Sequence, residues 1–396
     1  MIERITIENF KSLKQVDLKL GRLNLFIGTN ASGKSNLFDA LRLLRGIAGG
    51  SPVTELFEGG VRTSAGEVWH GIRGGLANAI YQAPIGPHSP STSQARMRVQ
   101  MTLDLGAMDY RFAFNDTGTT IGEHLSKAGE ELFFYDGNEA YFKLSERERM
   151  ACYPNPSLGS QVILAFRTGL AGAHKEVVEA WTKHLVDMQF LRLDPDILRG
   201  YGAAVNVRRM GEGGENFASL VRHICADVKR KEAYLSWLRE LRPQEVDDVT
   251  TLSGAVGEPL FALQESGREF PAPVLSDGTL RFAALTAAFF QPDMPKVLTI
   301  EEIENGVHGS RLRLVVELLR SQTASANTQV LATTHSPLVL AWLKPEEYST
   351  TFFCRRDEAT GESRICPLTE IPHFNEVIRK QPISDLFGEG WMEAAI

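Results

Sequence analysis

Residues 28–35 read Gly28-Thr29-Asn30-Ala31-Ser32-Gly33-Lys34-Ser35 and satisfy GxxxxGK[ST] at every fixed position. The flanks constrain the chain as strongly as the loop. Leu23 to Ile27 is a short apolar run suited to a buried central strand. Leu37, Leu41 and Leu44 then recur at helical spacing. A strand, a Gly-rich loop and a helix in that order point to an α/β fold built around a P-loop. The glycines let backbone N–H groups turn inward on phosphate oxygens, and the helix N-terminus adds partial positive charge. Lys34 is expected to reach the β and γ phosphates of ATP, and the Ser35 hydroxyl to ligate Mg²⁺. Gly28, Asn30, Ala31, Ser32, Gly33 and Asn36 complete the expected phosphate cradle.

Three further motifs follow. Val297-Leu298-Thr299-Ile300 is a short apolar strand that ends in Glu301 and Glu302. Neighbouring strand residues point to opposite faces, so the two carboxylates do different work. One can sit near Mg²⁺, directly or through water, while the other orients the water that attacks the γ-phosphate. Val330-Leu331-Ala332 leads into Thr333-Thr334-His335-Ser336-Pro337. That puts His335 just past the C-terminal end of a strand, where α/β sites lie. Leu275-Ser276-Asp277-Gly278-Thr279-Leu280-Arg281 opens an apolar helix with an anion-binding start, capped by Ser276 or Asp277.

Periodicity organises the rest. Ile5 and Ile7, then Val16, Leu18 and Leu20, alternate with polar residues as a strand and hairpin do. Residues 46–94 are Gly-, Pro- and Ser-rich, with a loop expected over 88–94. From 96 to 144, Met97, Val99 and Met101, then Tyr110, Phe112 and Phe114, alternate strictly and predict an antiparallel β unit. Val177, Val178, Trp181 and Leu185 predict helix, as do Phe217, Leu220, Val221 and Ile224. The expected division is 1–95 and 271–396 as two parts of one ATPase head, 96–145 as a β insertion and 146–270 as a helical lid.

Charge excludes some partners. With 42 basic and 49 acidic side chains the net charge is −7, which rules out coating nucleic acid by bulk charge but not through a local patch. The stretch with Arg208, Arg209, Lys229, Arg230 and Lys231 is such a patch. The longest nearly apolar run, Phe282 to Phe290, is too short to span a bilayer. The charged start MIERITIENF is no signal peptide. Four cysteines without a CxxC pair fit reduced thiols in a cytoplasmic protein and form no zinc site.

The order of these four motifs resembles the ABC-type ATPases, and within them the SMC/RecF/OLD branch of chromosome-maintenance, repair and phage-defence ATPases. The opening Ile5-Thr6-Ile7-Glu8-Asn9-Phe10-Lys11-Ser12-Leu13 resembles the first strand of that branch. The resemblance is close over residues 1–45 and 270–340. It implies an ABC-type head with a mixed or parallel sheet and flanking helices. It also implies that Ser276 and Gly278 are signature residues meeting the γ-phosphate held by a second copy. Glu301 takes the Walker B place, Glu302 that of the catalytic glutamate, and His335 that of the switch histidine. Glu304-Asn305-Gly306 falls at the D-loop, and Lys11 and Ser12 contact the nucleotide. Two positions depart from the pattern. Glu301 replaces the usual Asp, so its longer side chain would hold Mg²⁺ through water, and Asp277 replaces a usual Gly. The Q-loop glutamine is Gln82, Gln94 or Gln161.

From Ser35 to Leu275 is 240 residues without a long heptad run, so a compact head is expected in place of a coiled-coil SMC. The 59 residues after Pro337 hold no DxD, which argues against an intrinsic Toprim nuclease. Two functions compete. In one, a homodimerising or oligomerising ATP switch works in DNA repair or anti-phage defence with a nuclease or effector partner, and DNA itself is a candidate partner. In the other, a nucleotide-sensing scaffold restrains a toxin, with slow hydrolysis and no DNA contact. Neither involves a membrane.

Overall fold

The computed structural model describes residues 1–60, 69, 71–82, 94–145, 148–155, 160–163, 172–242, 245–325 and 328–395. Residues 88–93 of the expected loop lie outside them. The chain folds as two compact units. The first comprises Met1–Gly21, Ile27–Met188 and Thr350–Glu370; the second comprises Arg22–Phe26, Gln189–Ser349 and Ile371–Ile396.

In chain order the strands are β1 (Ile2–Phe10), β2 (Leu13–Lys19), β3 (Leu23–Ile27), β4 (Gln94–Leu103), β5 (Gly106–Asn115), β6 (Thr120–Lys127), β7 (Glu130–Tyr135), β8 (Ala140–Lys143), β9 (Arg149–Cys152), β10 (Gln189–Leu191), β11 (Val246–Ser253), β12 (Pro259–Glu265), β13 (Arg268–Pro271), β14 (Val297–Ile300), β15 (Gln329–Thr334), β16 (Thr351–Arg356) and β17 (Ser363–Pro367). The helices used below are α1 (Lys34–Ala48), α2 (Val53–Glu58), α3 (Gly172–Val186), α4 (Pro195–Leu198), α5 (Phe217–Cys225), α6 (Val228–Leu241), α7 (Asp277–Phe289), α8 (Leu312–Ser325) and α9 (Pro337–Leu340).

The first unit is built on an eight-stranded antiparallel sheet, β2-β1-β4-β5-β6-β7-β8-β9. The strict alternation read in the sequence becomes one buried row across it. Ile5 faces Leu18 and Val99, Val99 faces Tyr110, Tyr110 faces Leu125, and Leu125 faces Phe133. A shift of one residue in any strand would turn that row to solvent, so the pattern fixes the register. Tyr110 meets Trp181 of α3 at 4.5 Å between ring centres, and α3 packs on α1. The strands expected as an insertion therefore continue the sheet that the β1–β2 hairpin begins. The antiparallel β16–β17 hairpin packs beside β2 in the same unit.

The second unit carries a sheet in the order β10-β14-β15-β3, with β10, β14 and β15 parallel. Its strands are short, apolar and buried, as strands covered on both faces must be. Helix α7 is buried from Leu280 and Phe282 through Phe289, apolar all round, which is the signature of an interior helix. Tyr234 of α6 donates its hydroxyl to Ala283 O of α7 at 3.0 Å and so satisfies a buried phenol.

The stretch 146–270, expected to be helical, does contain α3, α5 and α6. It also contains β10, which joins the parallel sheet, and a separate three-stranded antiparallel sheet, β11-β12-β13. The β-branched run Val249-Thr250-Thr251 and the apolar run Leu260–Leu263 pair directly there. No helix of the described residues is long and apolar enough to cross a membrane.

Candidate nucleotide site

Helix α1 begins immediately after Gly33, which takes φ +101°, with no side-chain cap and no acidic residue in its first turn. The first N–H groups of that helix thus keep their positive end for an anion. Ala31 is also left-handed, at φ +63°. Neither loop glycine has room for a side chain. A Cβ on Gly28 would stand 2.1 Å from Cys354 O, and one on Gly33 would stand 2.3 Å from Ser363 Oγ. Lys34 Nζ lies inside the loop, donating to Gly28 O at 2.6 Å, Thr29 O at 2.8 Å and Ser32 Oγ at 3.2 Å.

The turn between β1 and β2 braces this loop from the side. Ser363 N donates to Ser12 O at 2.7 Å, the two serine hydroxyls lie 2.6 Å apart, and Asn36 Nδ2 donates to Ser12 Oγ at 2.6 Å. Lys11 Nζ donates to Asp39 Oδ2 at 2.6 Å and to Arg73 O at 2.7 Å. Burial pushes the Lys11 ammonium pKa down, and Asp39 pulls it back up. Arg73 shares Asp39 from the other side at 3.2 Å. A cavity of about 460 Å³ opens here, lined by Lys11, Ser12, Ser35, Asn36, Arg73 and Tyr81 among others. That volume lies in the range of small-ligand and cofactor sites.

Sequence reasoning missed Asp39, Arg73, Tyr81 and Ser363 as neighbours of the loop. Asp39 is 2% exposed, yet at helical spacing it falls on the side of α1 opposite Leu37, Leu41 and Leu44, so periodicity left no trace of its burial. Arg73 lies in a stretch without periodicity and left none. Of the three glutamines considered, Gln82 lines the same cavity as Ser35. Gln94 opens β4, and Gln161 is buried and bonded to Asn155.

The other expected residues lie in the second unit, at the C-terminal ends of β14 and β15. Glu301 is buried and its N–H donates to Leu191 O at 2.9 Å. Glu302 turns the chain with φ +53°, a conformation costly for a residue with a side chain. Its N–H donates to Thr333 Oγ1 at 3.0 Å, and Asn305 Nδ2 donates to its Oε2 at 3.1 Å. His335 is held by Glu304: its backbone N–H donates to Glu304 Oε1 at 2.6 Å, and Nδ1 lies 2.8 Å from the same oxygen.

At the start of α7, Ser276 is the N-cap, its Oγ accepting from Thr279 N at 3.2 Å. Gly278 lies against the loop after β14, where a Cβ would stand 2.4 Å from Gly306 O. Asp277 is paired with Arg199, whose Nη2 also reaches Leu275 O at 3.4 Å. Among the described residues no three His, Cys, Asp or Glu side chains gather as a metal cage. The Ser35 hydroxyl is a hard oxygen donor of the kind Mg²⁺ takes, an ion that draws its remaining ligands from phosphate and water.

Residues 1–47 match the family model "AAA ATPase domain", and residues 232–341 match "AAA domain, putative AbiEii toxin, Type IV TA system". The two matched segments hold the P-loop and all three later motifs. Solved structures of SMC heads have the same fold. One is an Smc head bound to the C-terminal winged-helix domain of ScpA (12% identity, TM-score 0.55, 93% of this chain and 99% of that one). Another is a Pyrococcus furiosus Smc head with an extended coiled coil, bound to the C-terminal domain of ScpA (12% identity, TM-score 0.54, 96% and 99%). The chain has the fold of an SMC head and carries segments that match two AAA ATPase family models. A Helicobacter pylori protein described as an ATP/GTP phosphatase is similar to this ATPase at 22% identity, over 90% of this chain and 93% of its own length.

Two of the five side chains in the basic patch, Arg208 and Lys231, are paired with carboxylates of the same chain. Arg208 forms two 2.9 Å bonds to Asp293, Arg209 Nε donates to Asp293 O at 3.3 Å, and Lys231 Nζ reaches Asp248 at 2.7 Å.

Proposed function

We propose that this ATPase binds Mg-ATP at the P-loop, closes on a second copy over the nucleotide and acts as a switch for a protein effector in repair or anti-phage defence. The observation that carries this reading is the nucleotide-sized cavity beside Ser35 and Asn36, braced by Lys11, Ser12 and Ser363. Lys34 takes the β and γ phosphates, and Ser35 and Glu301 hold Mg²⁺, which supplies charge neutralisation at the phosphates when bound. Glu302 orients the attacking water, with Asn305 fixing one of its oxygens. His335, anchored by Glu304, senses the γ-phosphate. Ser276 and Gly278 meet the nucleotide of the second copy, and Gln82 is the Q-loop residue. Glu302→Gln is expected to retain ATP binding and lower turnover by about 100-fold or more, because the water loses its orienter. Lys34→Ala is expected to lose binding as well. Hydrolysis at the wild-type rate by Glu302→Gln would reject the assignment of that residue.

The pairing of Arg208, Arg209 and Lys231 with acceptors in their own chain favours a second reading, a nucleotide-sensing scaffold that restrains a toxin or nuclease without gripping DNA. The resolved ScpA complexes of two SMC heads, and the toxin-system name of one matching family, support a protein partner for this fold. Salt-dependent DNA binding, or its lack, separates the two readings.

A further inference from the structure

Arg281 closes the Leu275–Arg281 motif, one turn into α7. The first turn of α7 rests so closely on the loop after β14 that only glycine fits at 278. Gly306 of that loop takes φ +72°, and a Cβ on it would stand 3.3 Å from Arg281 Cδ. The arginine is laid along the same loop, its Nη1 donating to Asn305 O at 3.4 Å. Asn305 in turn holds Glu302. Arg281 Nε is buried and has no hydrogen-bond partner, which is costly for a guanidinium and unusual in a settled structure. A cavity of about 20 Å³, room for roughly one water, lies against Arg281, Glu301, Glu302 and Asn305. Burial pulls the Arg281 pKa down, and Glu302 is the acid that most raises it back.

We propose that Arg281 is a positioning residue that links the first turn of α7 to Glu302, so that whatever engages Ser276 and Gly278 also sets the carboxylate. A planar guanidinium can keep Nη1 on the Asn305 carbonyl while it offers Nε to a carboxylate oxygen, which an ammonium cannot do. Engagement of the helix start is then reported to the hydrolytic group through one side chain and one loop. The inference rests on Glu302 as the residue that orients the water.

The test measures fluorescent-ATP affinity and steady-state hydrolysis for wild type, Arg281→Met, Arg281→Lys, Glu302→Gln and the Arg281→Met/Glu302→Gln double variant. Arg281→Met should bind nucleotide within about twofold of wild type, keep its KM and lose roughly 10- to 100-fold in kcat. Arg281→Lys, which keeps the charge without the fork, should fall between. In the Glu302→Gln background Arg281→Met should cost nothing further, because the two residues act as one unit. Wild-type kcat in Arg281→Met, or losses that multiply in the double variant, would overturn the proposal. If Arg281→Met loses its thermal unfolding transition, Arg281→Lys carries the test alone, and its kcat must fall at unchanged affinity. Unimpaired hydrolysis by Glu302→Gln alone would instead refute the role of Glu302, whatever Arg281→Met does.

Discussion

Glu123 is a fully buried carboxylate in the middle of β6, and four donors converge on it. Tyr110 and Ser160 hydroxyls bond one oxygen at 2.7 and 2.6 Å, and the N–H groups of Gln161 and Val162 bond the other. Burial outweighs those donors and raises its pKa from 4.5 to about 7. The native state therefore holds a proton that the unfolded chain gives up between those values. Stability falls as pH rises through that window and levels off above it. The total is up to about 3 kcal/mol at about 1.4 kcal/mol per unit. Glu123→Gln keeps a carbonyl for the two N–H groups, and its amide can donate to the two hydroxyls, so the fold should survive while this component of the pH dependence disappears. Urea unfolding at pH 5 and pH 8 checks it: equal pH sensitivity in wild type and variant would show that Glu123 is charged throughout.

Helix α7 and the loop after β14 behave as one element because two backbones touch at Gly278 and Gly306. Gly278→Ala would push a methyl to within 2.4 Å of a carbonyl oxygen that cannot swing away as a side chain can. Overpacking of this kind costs about 1–3 kcal/mol, and the start of α7 should lift from the loop. The expected outcome is a lower Tm together with a larger loss of hydrolysis than of nucleotide affinity; an unchanged Tm would show that the contact relaxes without cost. This contact also marks where sequence reading stops. Strict alternation in Met97–Met101 and Tyr110–Phe114, and the strand–loop–helix around Gly28–Ser35, were legible because each is a local pattern. The joining of β4 to β1 was not, since 96 and 8 pair across a stretch with no periodicity of its own. Likewise Asp277 could be read as a departure from a family pattern, but its pairing with Arg199 depends on α4, a helix of four residues with no repeat to detect. At the site, motif residues were legible and their supports were not, because supports such as Asp39 and Ser363 are chosen by packing.

For the whole molecule, the proposed engagement of Ser276 and Gly278 with the γ-phosphate of a second copy predicts association. Glu302→Gln should be monomeric without nucleotide and double its mass by light scattering with Mg-ATP, giving two identical composite sites in an isologous dimer. The same sample titrated with duplex DNA at low and high salt reads the scaffold against the DNA-bound switch. A monomer at micromolar concentration in both nucleotide states would exclude the dimer. The first unit also has an unusual make-up along the chain, since its final piece is Thr350–Glu370, and Ser363 bonds Ser12 across 351 positions. A ribosome exposes Gly33 long before Ser363, the residue that steadies it. The contact of Ser363 with Gly33 and Ser12 therefore forms only once the last segment of that unit has been made and folded back, a closure over a long stretch of chain.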